Sequence, residues 1–136
     1  MKEREDFNHF VLVGDDKNWK IALSEKTWGF SKKGKGLWEA TNEGDKVAFY
    51  VTLPIKKIIG FGKITKKYIG NDILFYDEKI LGSLIWVYRF NFQIECLIKD
   101  WKNGITPPKN LILNVGRKSI SVETFQNIKN SILKKV

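Results

Sequence analysis

Trp28 is followed within a few residues by three lysines, Lys32, Lys33 and Lys35, in the loop Ser31-Lys32-Lys33-Gly34-Lys35-Gly36. An indole face stacks on a nucleic-acid base for about 1–3 kcal/mol, and lysines at its rim hold the phosphates on either side. The third requirement is a group that reads the polar edge of the base. Asp15, Asp16 and Asn18 have the right chemistry, since each can accept a hydrogen bond from an exocyclic amine. Each residue also has a purely structural reading. Trp28 can serve as a core tryptophan. Asp15 and Asp16 suit a turn and a helix cap, with Asp16 the expected N-cap. Trp86 lies in an apolar strand pattern, Trp19 falls at helical core spacing, and Trp38 and Trp101 read as core. A late polar loop around Gly116 places Asn114 and Arg117 where they can reach a pocket or a phosphate.

Other chemistries find less support. His9 and Cys96 are the sole residues of their types, and both fall inside strand patterns. A buried strand cysteine is ordinarily inert. A structural zinc site needs about four Cys or His ligands, so neither a metal nor a cofactor is expected. The neighbouring carboxylates Asp77 and Glu78 read as solvated turn charges. Gly34-Lys35-Gly36 lacks the spacing of a Walker loop, and Gly60-Phe61-Gly62 is not a dinucleotide fingerprint. No catalytic residue is therefore assigned.

The formal net charge of +9, with a pI near 9.6, favours a polyanionic partner through counterion release and steering. A composition of 43% hydrophobic and 29% charged residues suits a folded chain. The expected organisation is a polar leader over residues 1–6 and one domain over residues 7–136. A lone cysteine, and an N-terminus without an apolar stretch, point to a cytoplasmic protein with no membrane span, acting as a monomer.

The elements that must position these residues follow from periodicity and punctuation. His9 to Val13 reads as a buried strand ended by Gly14, and a short helix follows with Trp19, Ala22 and Leu23 on one face. Leu37 to Ala40 reads as a helical turn. Lys46–Val51 and Ile58–Ile64 read as paired strands, with Gly60 and Gly62 marking a bulge or close approach. The stretch from Gly70 to Leu81 is ambiguous between strand and loop. Leu84 to Ile98 alternates, with Trp86, Tyr88, Phe90, Phe92 and Ile94 on one face. Leu111-Ile112-Leu113 reads as a short strand. Ser121 caps a last helix from Val122 to Leu133. Short turns between strands favour antiparallel pairing in a curved sheet or barrel, with terminal helices over its edges or mouth.

The ordered series Asn18-Trp19, Thr27-Trp28-Gly29-Phe30, Gly44-Asp45-Lys46, Tyr50-Val51 and Ile59-Gly60 resembles the EVE domains of small archaeal proteins and, more distantly, YTH domains. Val87-Tyr88-Arg89-Phe90 resembles the later strand that carries a Tyr-Arg pair in that class. The resemblance is good over Phe10 to Thr65 and fair over Trp86 to Glu95. It implies an α+β fold, a PUA-like curved antiparallel or mixed β-barrel flanked by short helices. It also implies a pocket for a base, often a modified one, on RNA or DNA. Trp28 takes the position of a YTH pocket tryptophan, Trp86 that of a second, and Gly29, Phe30 and Trp19 lie with them. Arg89 and Arg117 join the lysines as backbone contacts. The stretch after the first strand, Gly14-Asp15-Asp16, departs from YTH domains in being acidic. A small hydrolase or nucleoside-binding enzyme of the related ASCH group, and a peptide-binding aromatic groove, are the competing readings.

Overall fold

A computed structural model describes residues 7–113 and 116–136; the leader over 1–6 and Asn114 lie outside the described residues. Strand β1 (His9–Gly14) leads into helix α1 (Asp16–Glu25) and strand β2 (Thr27–Phe30). A 3-10 turn (Lys32–Gly34) and a short helix α2 (Lys35–Glu39) follow, then β3 (Lys46–Val51) and β4 (Lys57–Ile69). Helix α3 (Tyr76–Leu81), strand β5 (Tyr88–Leu97), a second 3-10 turn (Trp101–Asn103), β6 (Gly116–Ser119) and helix α4 (Val122–Leu133) complete the order.

The six strands form one curled sheet in the order β2-β5-β4-β3-β1-β6, a half-barrel with four short helices. β1 runs parallel to β3 and every other neighbouring pair is antiparallel, so the sheet is mixed. This is the α+β curved barrel that the resemblance implies.

Alternation along the strands divides the core in two. Phe10 and Leu12 of β1 and Val47, Phe49 and Val51 of β3 face inward, against Trp19, Trp28, Phe30, Phe90 and Phe92. Val11, Val13, Ala48 and Tyr50 face outward, against Phe125, Ile128 and Ile132 of α4. Each fully buried side chain of this kind contributes about 1.5–3 kcal/mol. Because β1 and β3 are covered on both sides, they read as unbroken apolar runs rather than alternating ones.

The structure corrects four expectations. The ambiguous stretch holds a helix, α3, and its turn is closed by Gly82 at φ 67°. Leu111–Leu113 is not a strand; the last strand is Gly116–Ser119, paired with β1. β5 begins at Tyr88, so Trp86 precedes the sheet. α4 lies on the outer sheet face, not over an edge or mouth, because Phe125, Ile128 and Ile132 bury there. Its Ser121 cap stands as read, with Thr124 N donating to the Ser121 hydroxyl at 3.0 Å. The expected irregularity in β4 is also present, with a register shift between Phe61 and Gly62.

Candidate functional site

The ends of β1 and β2 meet at two glycines, and this creates room for a cavity. A Cβ at Gly14 would stand 2.4 Å from Trp28 Cη2, and one at Gly29 would stand 2.7 Å from Trp86 Cβ. Both positions therefore need glycine for close approach rather than for backbone freedom. Trp28 stacks on Trp19 with ring centroids 4.3 Å apart. Trp19 is fully buried and anchored, its Nε1 donating to Tyr50 O at 2.8 Å. Trp28 is 6% exposed, and its buried Nε1 has no hydrogen-bond partner among the described residues.

The cavity has a volume of about 310 Å³, at the lower end of the ~300–1,000 Å³ seen for small-molecule sites. Val13, Gly14, Asp15, Asn18, Trp28, Gly29 and Phe30 line one side, and Phe75, Asp77 and Trp86 the other; Thr52 and Gly116 complete it.

That second side belongs to the connection between β4 and β5, which needs an anchor because little of it is in the sheet. Glu78, fully buried, supplies it. Its Oε1 accepts from Leu74 N and Phe75 N, each at 2.9 Å, and its Oε2 accepts from Ile85 N at 2.9 Å and Trp86 N at 2.8 Å. Burial pushes this carboxyl up, but the four backbone donors outweigh burial and hold it below its ordinary value. Arg89, also fully buried, donates from Nη2 to Glu78 Oε1 at 3.2 Å, from Nη1 to Asp72 Oδ1 at 2.6 Å and from Nε to Trp86 O at 2.8 Å. Both ends of the connection are tied to one ion pair.

The polar edge of the cavity is held as firmly. Asp15 is the N-cap of α1, accepting from Asn18 N at 2.8 Å through Oδ1. Asp77 Oδ1 accepts from Trp86 Nε1 at 2.8 Å and from Glu78 N at 2.9 Å, which sets the plane of Trp86. Asn18 bridges the two sides, donating from Nδ2 to Asp77 Oδ2 at 3.3 Å and accepting from Tyr76 N at 3.0 Å. Nearby on α1, Lys17 Nζ lies 5.1 Å from the centre of the Tyr76 ring.

Of the residues singled out in the sequence, Asp15, Asn18, Trp28, Gly29, Phe30 and Trp86 surround this one cavity. The others do not line it. Trp19 backs Trp28 as a buried support. Asp16 is the first residue of α1, one position past the cap, because Asp15 takes that role. Arg89 cannot reach a phosphate, since its guanidinium is sealed against Glu78 and Asp72. Arg117 lies over the Phe10 ring at 4.2 Å, and burial lowers its pKa while Asp45 acts in the opposite direction. Lys32 and Lys33 in the 3-10 turn, and Lys35 on α2, are exposed just beyond Phe30. Lys35 Nζ lies 4.0 Å from Glu39. Sequence reasoning misses Phe75, Asp77 and Glu78. The Asp77-Glu78 pair reads locally as solvated charge, and only the partners that converge on it in space reveal otherwise.

No family model and no curated protein matches the sequence. Solved structures do resemble the fold. The YTH domain of Toxoplasma CPSF4, in complex with a 7-mer m6A-modified RNA, gives a TM-score of 0.67 at 12% identity, over 95% of this chain and 92% of that one. The Pho92 YTH domain in complex with m6A gives 0.64 at 18% identity, over 97% and 89%. An ASCH protein of Zymomonas mobilis gives 0.63 at 13% identity, over 93% and 97%. The chain therefore has the PUA-like fold shared by YTH and ASCH domains. Among the described residues, no helix is long and apolar enough to cross a membrane.

Proposed function

We propose that this protein is a nucleic-acid-binding module of EVE type that seats one base, in a modified form such as a methylated one, in the cavity between Trp28 and Trp86. The observation that carries the reading is the cavity itself: about 310 Å³ lined by two tryptophans, Trp28 and Trp86, together with the carboxylates of Asp15 and Asp77 and the carboxamide of Asn18. Two of the YTH structures it resembles were solved with m6A or m6A-modified RNA, which is the same kind of cargo. A methyl group on a base amine removes one donor and adds apolar surface, so an aromatic wall gains on water. Lys32, Lys33 and Lys35 serve as the phosphate rim, in keeping with the net charge of +9. Residues 7–136 act as one cytoplasmic, monomeric unit in this reading, with the leader ahead of it.

The test is a fluorescence-anisotropy titration with matched RNA and DNA oligonucleotides, modified and unmodified, over a range of salt. Binding should weaken steeply with salt, and one methyl should be worth about 1–3 kcal/mol. Trp28→Ala should abolish the preference for the modified base while leaving residual backbone affinity. No binding at low salt would remove nucleic acid as the partner. A second reading, a nucleoside-binding enzyme of ASCH type, rests on the likeness to the Zymomonas mobilis protein. Chromatography of a nucleoside panel after incubation with the protein would reveal any turnover.

A further inference from the structure

We infer that the cavity selects a base carrying positive charge, a purine or pyrimidine methylated on a ring nitrogen, over the neutral isomer of the same base. The inference rests on the reading of the cavity as a base pocket and names its ligand class.

The charge of the cavity runs against the charge of the chain. In a protein of net +9, none of the described side chains that line the cavity is cationic, while two, Asp15 and Asp77, are carboxylates. Neither has a lysine or arginine partner among the described residues, whose ion pairs are Lys35–Glu39, Lys46–Glu95, Arg89–Asp72 and Arg89–Glu78. Asp77 is not a freely moving surface carboxylate, because Trp86 Nε1, Glu78 N and Asn18 Nδ2 hold it in one orientation. One lone pair of Oδ2 remains for a ligand. Asp15 spends Oδ1 on the cap of α1 and keeps Oδ2 for a ligand. Trp28 lines the same cavity almost fully buried, with an indole donor that no group among the described residues satisfies.

These features suit one chemistry. Methylation of a ring nitrogen that carries a lone pair and no hydrogen, such as N1 of adenine or N3 of cytosine, converts the base into a delocalised cation with acidic N–H groups along its edge. Aromatic faces attract such a cation more strongly than its neutral isomer, and more so when water is excluded. The two carboxylates meet the charged edge, and the free Trp28 donor is available to a carbonyl or ring-nitrogen acceptor. A neutral base methylated on its exocyclic amine brings a single N–H and no charge, so it gains less than the cation does from two carboxylates at the cavity edge. The lysine rim takes the phosphates outside, so the two charge preferences do not conflict.

The experiment uses the full chain and isomeric nucleosides at neutral pH, read by tryptophan quenching or calorimetry. N1-methyladenosine and N6-methyladenosine contain the same heavy atoms and differ in charge; 3-methylcytidine and N4-methylcytidine form a second such pair. The cationic member of each pair should bind about tenfold tighter or more. Asp15→Asn and Asp77→Asn should each reduce that ratio, and the double variant should bring it near unity. Asparagine can still cap α1 and can still accept from Trp86 Nε1. Asp15→Asn alone carries the test should Asp77→Asn unfold. Equal affinities within both pairs would overturn the inference and leave the base-pocket reading standing. A preference that survives in a folded double variant would overturn the electrostatic explanation. Failure of all four nucleosides to bind would overturn both.

Discussion

On one side of the cavity Gly14, Asp15, Asn18, Trp28 and Phe30 come from a single unbroken stretch, β1–α1–β2, set in place by stacking on Trp19. On the other side Phe75, Asp77 and Trp86 come from the β4–β5 connection, set in place by the buried Glu78–Arg89 pair. One wall is held by apolar packing, which is indifferent to pH and weakens only as volume is removed. The other is held by charge and backbone hydrogen bonds, which lose their strength abruptly when one partner is removed. An aromatic cavity can therefore have one rigid wall and one that depends on a single carboxylate.

The two walls part most visibly at Glu78. Glu78→Gln leaves the buried Arg89 guanidinium with Asp72 as its one remaining carboxylate and turns an amide donor toward two backbone N–H groups, so it should cost about 3–5 kcal/mol in denaturant unfolding. Trp28→Ala on the packed side should cost a similar ~3–5 kcal/mol through the void it leaves. Acid separates the two. The folded-state pKa of Glu78 lies below its ordinary value of 4.5, so its stabilisation is complete above that value. That stabilisation is lost as pH falls through the lower folded value. An acid titration should therefore destabilise the parent and Trp28→Ala in this window, while Glu78→Gln lacks this component. If Glu78→Gln kept the full acid response, the charge-held wall would need another anchor.

Next in size is Trp86. It is half-buried, so Trp86→Ala should cost little in melting temperature yet weaken binding of a modified oligonucleotide by about 1–3 kcal/mol. A large melting loss with unchanged affinity would make Trp86 a structural plug. The triple change of Lys32, Lys33 and Lys35 to Ala should weaken binding alike for all sequences. It should also lower the slope of log affinity against log salt by about 0.7–0.9 for each phosphate that the lysines no longer neutralise. Thermal stability should hardly move, since these side chains are exposed and weakly paired.

The smallest effect sharpens the packed side. Asp15→Ala should destabilise by about 0.5–2 kcal/mol as a lost helix cap. Asp16→Ala should cost about 0.3–1 kcal/mol, because it loses only a first-turn interaction with the helix dipole. The reverse order in thermal melts would move the start of α1 back to the position its sequence first suggests.

The sequence by itself determined the elements whose signals are local. Strand β1 ends at its glycine, α4 starts at its serine cap, β4 shifts register at Gly62, and Trp28 stands between the first helix and the basic loop. Neighbouring residues decide such features, so periodicity and caps reveal them. Arg89 shows where that ends. Alternation assigns it to the polar face of a strand, which reads as solvent, yet the β4–β5 connection folds over that face and buries it beside Glu78. Asp77 and Glu78 look like two equivalent turn charges. In the fold one faces the cavity and the other disappears beneath four backbone donors. The tertiary structure alone decided these fates, because the free energy of a charge depends on which groups surround it and how much water they exclude. Those groups come from segments far apart in the chain.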